Sequence, residues 1–330
     1  MPARAIQITL ALATAMLSST LSSTLARAQD LPAKQVRLLV GFAPGGSSDV
    51  LARALAPEAS KLLGQEIVII NKAGGAGTIA VNDIVAAPAD GTTIGIAASA
   101  TLTLVHMFQN IRPDLLESTE ALVQAGRQRI GVATKADSPI RTLKDLIAFA
   151  RANPGKASVG SPGAGTSSEL MMRAVALHEK VEINIVPFQG DAPAATAMLG
   201  GHVTAISASA GSWAVHVSEG GMRMLASMEK DRVDVAPDVP NLIELGYPYA
   251  GASIQYLLAP KGLPPAIKTR LIDVFTAAMK SPLYVDIATK NNLHGPSSLT
   301  GEALDRHLIE DRRGLAELVG KIGVGKAAAK

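Results

Sequence analysis

The chain contains no cysteine among its 330 residues, so it has no disulfide, no thiolate metal ligand and no cysteine nucleophile. Its stability has to come from a packed core, which a chain of this length can build. Aromatic residues are scarce at 3 %, and base stacking on single strands depends on them. Neither sign of charge dominates: 31 basic side chains face 28 acidic ones, for a net charge of +3, and no basic tract runs along the chain. Nucleic acid is therefore not an expected partner. Beyond the N-terminus no stretch approaches the roughly eighteen uninterrupted apolar residues that a membrane-spanning helix needs.

Catalytic patterns are missing as well. Six histidines (His106, His178, His202, His216, His294, His307) occur singly, without a His-Glu-x-x-His pair, so no metal site is expected. There is no Gly-x-Ser-x-Gly elbow and no Gly-x-x-x-x-Gly-Lys-[Ser/Thr] phosphate loop. A dinucleotide-type Gly-x-Gly-x-x-Gly fails because Ser168 stands at its last position. Ser227-Met-Glu-Lys230 matches Ser-x-x-Lys, but no Lys-Thr-Gly follows it. With no nucleophile–base pair, metal or cofactor motif, an enzyme is not the expectation, and no cofactor is expected.

The first residues are present for another reason. Arg4 precedes an apolar run from Ile6 to Leu17, then a Ser/Thr-rich tract ends in Ala26-Arg27-Ala28. A charged start, an apolar middle and an Ala-x-Ala end describe a secretory signal peptide over residues 1–28, cleaved after about Ala28. Removing it takes two cations (Arg4 and Arg27) and no acid, so the net charge falls from +3 to +1. No stable membrane insertion is expected after cleavage.

The rest of the chain is organised around Val36 to Leu55. A short Val/Leu run reads as a buried strand, breaks at Pro44-Gly45-Gly46, and continues as a helix with Val50, Leu51, Ala54 and Leu55 on one side. Ser47 or Ser48 fits the N-cap, and Asp49 falls in the first turn, where a carboxylate suits the helix dipole. A strand that enters a glycine turn and then a helix start leaves backbone N–H groups free to bind an anion. Ala157 to Glu169 repeats the design, with a strand, Pro162-Gly163, hydroxyl residues and an acid. There Thr166 and Glu169 have capping-box spacing. Two such turns far apart suggest two lobes that offer backbone donors to one ligand.

Between and after these turns, strands and helices alternate. Glu66–Ile70 and Thr92–Ala98 read as strands, each followed by a turn (71–77 and 99–101), and the spacing predicts a parallel, doubly wound sheet. The loops 42–49, 71–77 and 99–101 all follow strands and should gather on one rim, where ligands of such sheets bind. This puts Ser99 beside the first turn. Further strands are predicted at 129–134, 181–186, 203–207, 222–227 and 253–260. Helices are predicted from Thr142, Ala192 and Pro265, with a last one from Gly301 to about Val319. Trp213 and the methionines read as core.

A set of motifs in order along the chain carries a resemblance. They are Phe42-Ala-Pro-Gly-Gly-Ser-Ser-Asp49, Asn71-Lys72-Ala73-Gly74-Gly75-Ala76-Gly77, Ala89-Asp90-Gly91-Thr92 and Gly163-Ala-Gly165-Thr166-Ser-Ser168, and further on Pro187-Phe188-Gln189-Gly190, Leu199-Gly200-Gly201 and Ala236-Pro237-Asp238-Val239-Pro240. The chain resembles the substrate-binding receptors of the tripartite tricarboxylate transporter family, the Bug-type periplasmic receptors. The resemblance implies an α/β type II periplasmic-binding-protein fold, with two doubly wound lobes joined by a two-segment hinge. Lobe 1 would comprise 29–127 plus 253–330 and lobe 2 would comprise 128–252, with hinge segments near 123–134 and 252–260.

The same resemblance implies a monomer in the periplasm that clamps a small organic acid between its lobes and presents it to membrane permease subunits. The alternative partner is a membrane sensor protein. Carried over by position, the ligand-binding residues are Phe42, Pro44, Gly45, Gly46, Ser47, Ser48 and Asp49 from one lobe. Gly163, Gly165, Thr166 and Ser167 come from the other, completed by Gln189 and Ser209. Two departures stand out. The family often has Tyr-Lys-Gly where this chain has Phe188-Gln189-Gly190, and often has acids where Thr204 to Ser209 stands. The first removes a cationic partner, and the second makes an ammonium-bearing ligand a poorer fit.

Overall fold

The structure is a computed structural model that describes residues 31–32, 35–291, 293–294 and 299–324. The predicted signal peptide, 1–28, lies outside the described residues. The Val/Leu run forms β1 (Val36–Val40), and the helix after the glycine turn is α1 (Ser47–Leu63). Gly64 ends that helix at φ 70°, a left-handed position that glycine takes without strain, and returns its N–H to Ser60 O. Next come β2 (Ile67–Asn71), α2 (Thr78–Val85), β3 (Thr93–Ala98), α3 (Ser99–Thr103), α4 (Leu115–Ser118) and β4 (Thr119–Gln128).

The chain then enters a second half: β5 (Ile130–Lys135), α5 (Leu143–Ala152), β6 (Ser158–Ser161), α6 (Ser167–Glu179), β7 (Asn184–Pro187), α7 (Asp191–Leu199), β8 (Ala205–Ser209), α8 (Ala214–Ser218) and β9 (Met222–Ser227). It returns to the first half through β10 (Ser253–Pro260), α9 (Pro265–Ala278), α10 (Pro282–Lys290), β11 (Leu293–His294) and α11 (Gly301–Ile322). One sheet has the order β11-β4-β10-β3-β1-β2 and the other β7-β6-β8-β5-β9. The chain passes from the first sheet to the second between Gln128 and Ile130 and comes back between Ser227 and Ser253.

The sheets are mixed rather than wholly parallel. β1 runs parallel to β2 and β3, while β10 is antiparallel to β3 and β4, and β5 is antiparallel to β8 and β9. Strand β4 has no counterpart in the sequence reading. Its residues Ala121, Gln124, Ala125, Gly126 and Gln128 include poor strand formers, and the register with β10 overrides that preference. Residues 99–101, read as a loop, open helix α3, and the strand read at 181–186 starts only at Asn184. Trp213 is fully buried among Ala133, Met198 and Met224, and its Nε1 donates to Ala208 O at 3.0 Å.

Helix α11 lies across both halves. Leu304 and Leu308 bury themselves with Tyr256 and Leu258 over the first sheet. Val319, flanked by Leu315, Leu318 and Ile322, packs into the core of the second with Leu143 and Leu170. Midway, Arg312 makes a two-pronged pair with Asp114 (2.7 and 2.8 Å) and donates to Leu102 O at 2.9 Å.

The turns after β1 and β2 meet backbone to backbone. A Cβ on Gly41 would lie 2.6 Å from Gly77 Cα and 2.9 Å from Gly77 O. Neither atom can move without displacing its loop. The Gly41→Ala variant should therefore lose about 1–3 kcal/mol of stability, measured by urea unfolding. Gly155→Ala serves as a control for left-handed strain alone, since no atom lies within 4 Å of its Cβ position.

Candidate functional site

The two glycine turns are held by the same device. In the first, Gly45 N–H donates to Asp49 Oδ2 at 2.9 Å, and Arg53 Nε donates to the same oxygen at 2.9 Å. In the second, Gly165 N–H donates to Glu169 Oε2, and Arg173 Nη2 reaches Glu169 Oε1 at 2.6 Å. Each turn is thus pinned by an acid four residues on, which an arginine four residues further braces. Burial works against ionising Asp49, but hydrogen bonds from Arg53, Gly45 and Asn71 outweigh it and hold the carboxyl below its ordinary range.

This geometry changes the cap residue of α1 and the cap bonding of α6. The N-cap of α1 is Gly46 rather than Ser47 or Ser48, because the acid draws the turn one residue tighter. At α6 the N-cap is Thr166 as expected, but no capping box forms: Thr166 Oγ1 donates to Gly163 O at 2.8 Å, and Glu169 takes the N–H of Gly165 instead.

Between the halves lies a small, narrow cavity. From the first half it is lined by Phe42 and Ser48, with Gln255 and Ser253 from β10. From the second it is lined by Thr166, Ser167 and Ser168 at the start of α6, by Asp191 at the start of α7 and by Ser209 at the end of β8. Helices α1, α6 and α7 therefore begin at its wall. The first amides of a helix have no partner within it, and the dipole is positive there, so the wall favours an anion. None of the lining side chains is cationic. Ser48 Oγ is committed to Gln255 Oε1 at 2.8 Å, and Gln255 Nε2 donates to Ser253 Oγ at 3.2 Å, which ties α1 to the return strand.

The other residues singled out by the sequence lie around this cavity rather than on it. Pro44 and Gly45 are exposed at the rim, and Gly46, Ser47 and Asp49 are buried behind it. Gln189 has an exposed side chain, and its carbonyl accepts Ala43 N–H across the halves at 3.0 Å. Gly163 and Gly165 mark close approach: a Cβ on them would lie 3.2 Å from Ala76 Cα and 3.1 Å from Val105 Cα. Ser99 lines an adjoining space of about 690 Å³, open to solvent, together with Ser167, Arg127, Lys230 and Asp311.

The sequence reading missed Asp191. The carried motif ended one residue earlier, at Gly190, and only the position of Asp191 at a helix start after a strand could have pointed to it. Burial pushes its carboxyl above the ordinary range, against hydrogen bonds from Ser209 and Ser47. The reading also missed Ser168, Ser253 and Gln255, which nothing in the local sequence distinguishes. Where the chain crosses between the sheets, Glu229 is fully buried and bonded to Arg127 Nη2 at 2.5 Å, with Arg129 Nη1 at 3.5 Å. Burial pushes its carboxyl up to about 7, although both arginines favour the charged form.

The chain and its overall fold are similar to known proteins. Residues 51–319 match the family described as tripartite tricarboxylate transporter family receptor. A protein of Cupriavidus necator, "UPF0065 protein in gbd 5'region", is 33 % identical over 318 residues, 96 % of each chain. The periplasmic binding protein BugD superposes with a TM-score of 0.82 at 25 % identity, over 89 % of this chain and 99 % of that one. An R. palustris protein solved with adipate gives a TM-score of 0.84 at 26 % identity, over 90 % and 99 %.

The Glu229 carboxyl has a pH signature. Its folded value near 7 exceeds the ordinary 4.5, so between those limits the folded chain binds more protons at this site than the unfolded chain. The stability it contributes is present below 4.5 and lost as pH rises towards 7. The Glu229→Gln variant should lack that loss, so its stability relative to the parent should rise between pH 5 and 8, by at most about 3 kcal/mol. Urea unfolding of both proteins at the two pH values measures the difference.

Proposed function

The chain belongs to the tripartite tricarboxylate transporter receptor family, and on that premise we propose that it captures a small organic acid in the cavity between its halves. The single observation that carries the reading is the convergence of three helix starts, α1, α6 and α7, on one buried cavity without a cationic side chain. Neutral donors in such a site hold a carboxylate by charge-assisted hydrogen bonds worth roughly 1.5–3 kcal/mol each. The family role favours a receptor over an enzyme. The adipate bound by the R. palustris protein supports a carboxylate as the ligand.

In the mechanism, the crossings near 123–134 and 252–260 act as a hinge, and residues 29–127 plus 253–330 and 128–252 act as its two lobes. The open form admits solute to the exposed turns. Solute contacts from both lobes then shift the population towards the closed form described here, in which Ala43 N–H meets Gln189 O. Gln109 Nε2 also reaches Ala164 O across the cleft at 3.0 Å. The closed shape is what a membrane permease would read. Residues 1–28 would export the chain to the periplasm, with cleavage after about Ala28.

A thermal-shift series over mono-, di- and tricarboxylates tests the reading: at least one acid should raise the melting temperature in proportion to the logarithm of its concentration above Kd. No shift with any acid would overturn it.

Closure has its own test. A Cβ on Gly211 would lie 2.6 Å from Ser47 Oγ and 3.0 Å from Ser47 Cα on the other half, and Gly211 has an ordinary backbone conformation. Gly211→Val should therefore keep both halves folded, bind the same acid at least about tenfold more weakly, and show a larger radius of gyration in solution scattering.

A further inference from the structure

The larger, solvent-open space beside the cleft lies on the other face of the returning strands. In the pair β4–β10, Ile254 stands opposite Arg127 and Ser253 opposite Gln128. Successive side chains of a strand point to opposite faces. Ser253 and Gln255 accordingly line the small cavity, while Ile254 and Arg127 line the larger space. The two share a single described lining residue, Ser167 at the start of α6. Two helices close the larger space: α6 contributes Leu170 and Met171, and α11 contributes Asp311 and Leu315. Lys230, in the segment after β9, joins them.

The charges here are only partly matched. Arg127 gives Nη2 to Glu229, Arg129 turns to the same carboxylate, and Arg312 pairs with Asp114. Among the described residues, neither Lys230 nor Asp311 joins an ion pair. Asp311 accepts a long hydrogen bond from Thr103 Oγ1 at 3.4 Å. Burial pushes its carboxyl above the ordinary range, against the nearby His307 and the Thr103 hydroxyl. An exposed lysine is content in water, but a half-buried carboxyl beside an apolar wall gains from a cation. A plain anion in this space would answer Lys230 and Arg127 while setting its charge against Asp311. A plain amine would answer Asp311 and face two cations. A zwitterion with an apolar side chain matches every part of the wall, in the usual manner of a small-molecule site with a few convergent polar groups on an apolar lining.

We propose that this space is a second binding site, separate from the cleft, and that it takes a small amino acid with an apolar side chain. The ligand's carboxylate lies against Lys230 and Arg127, its ammonium against Asp311, and its side chain against Leu170, Met171, Ile254 and Leu315. The site draws on both halves and on the helix that crosses them, and it does not depend on what the cleft captures.

Calorimetry on the cleaved chain tests this with L-leucine as the probe. Isocaproate and isoamylamine, which are leucine without its ammonium and without its carboxylate, serve as comparators. Leucine should bind at least about ten times more tightly than either, because each analogue leaves one charged group of the wall unmatched. Lys230→Met and Asp311→Asn should each weaken leucine at least about tenfold, the loss expected for one charge-assisted contact. Both variants should melt in buffer as the parent does, and both should keep the parent's affinity for any acid found in the thermal-shift series. Leucine bound equally by the parent and both variants would place it in the cleft and overturn the second site. Absence of leucine binding to the parent would overturn it too, as would isocaproate binding as tightly as leucine. None of these three results touches the carboxylate reading of the cleft, which falls only if the acid series fails.

Discussion

Two carboxylates, each held by an arginine one helical turn further on, fix the shape of the two glycine turns beside the cavity. Asp49 and Glu169 take the N–H of Gly45 and Gly165, which prevents either turn from relaxing and sets the direction in which α1 and α6 leave their sheets. That direction aims the unpartnered amides at the cavity. The glycine N–H groups are therefore structural, and it is the residues just past them, Ser48 on one side and Thr166, Ser167 and Ser168 on the other, that line the space. The two halves have the same local solution on the same short pattern, Gly-x-Ser-Ser-acid: Gly45-Gly-Ser-Ser-Asp49 in one and Gly165-Thr-Ser-Ser-Glu169 in the other.

Glycine also sets how close the halves come. Atoms of Ala76, Val105, Phe42 and Ser47 from the first half stand within about van der Waals contact of the places where Gly163, Gly165, Gly190 and Gly211 would carry a Cβ. Any side chain there would hold the cleft apart. Buried charge at the crossing, Glu229 between Arg127 and Arg129, ties the end of β4 to the segment after β9. Removing one partner from such a group costs more than the pair contributes.

Much of this architecture is legible in the chain. The strand–glycine turn–helix units at 36–55 and 157–177 follow from apolar runs broken by Pro-Gly and resumed by a cap residue. Details failed where a local rule met a longer-range partner. The cap of α1 moved to Gly46 and the capping box of α6 failed to form, with Asp49 and Glu169 bonding backwards to glycine rather than to the cap residue. Strand β4 was invisible because its Ala, Gly and Gln residues carry no strand signal until β10 pairs with them. Asp191 was missed because a single acid at a helix start looks like any first-turn acid. Only the fold shows that its helix begins at the cleft wall, and that its carboxyl turns to the end of another strand.

Helix α11 adds a mechanical consequence. One end is seated in the core of the first sheet through Leu304 and Leu308, the other in the core of the second through Val319, and Arg312 clamps the middle to Asp114. Besides the two chain crossings, the halves thus share a stiff spar of 22 residues, about six turns long. If the two crossings serve as the hinge proposed above, a joint braced in this way could not twist freely, and the halves would part only by rocking about an axis that keeps both ends of the spar embedded. The aperture that such a joint would offer to solute would be a narrow wedge with a preset direction, and the side of the molecule that carries the spar would stay nearly unchanged.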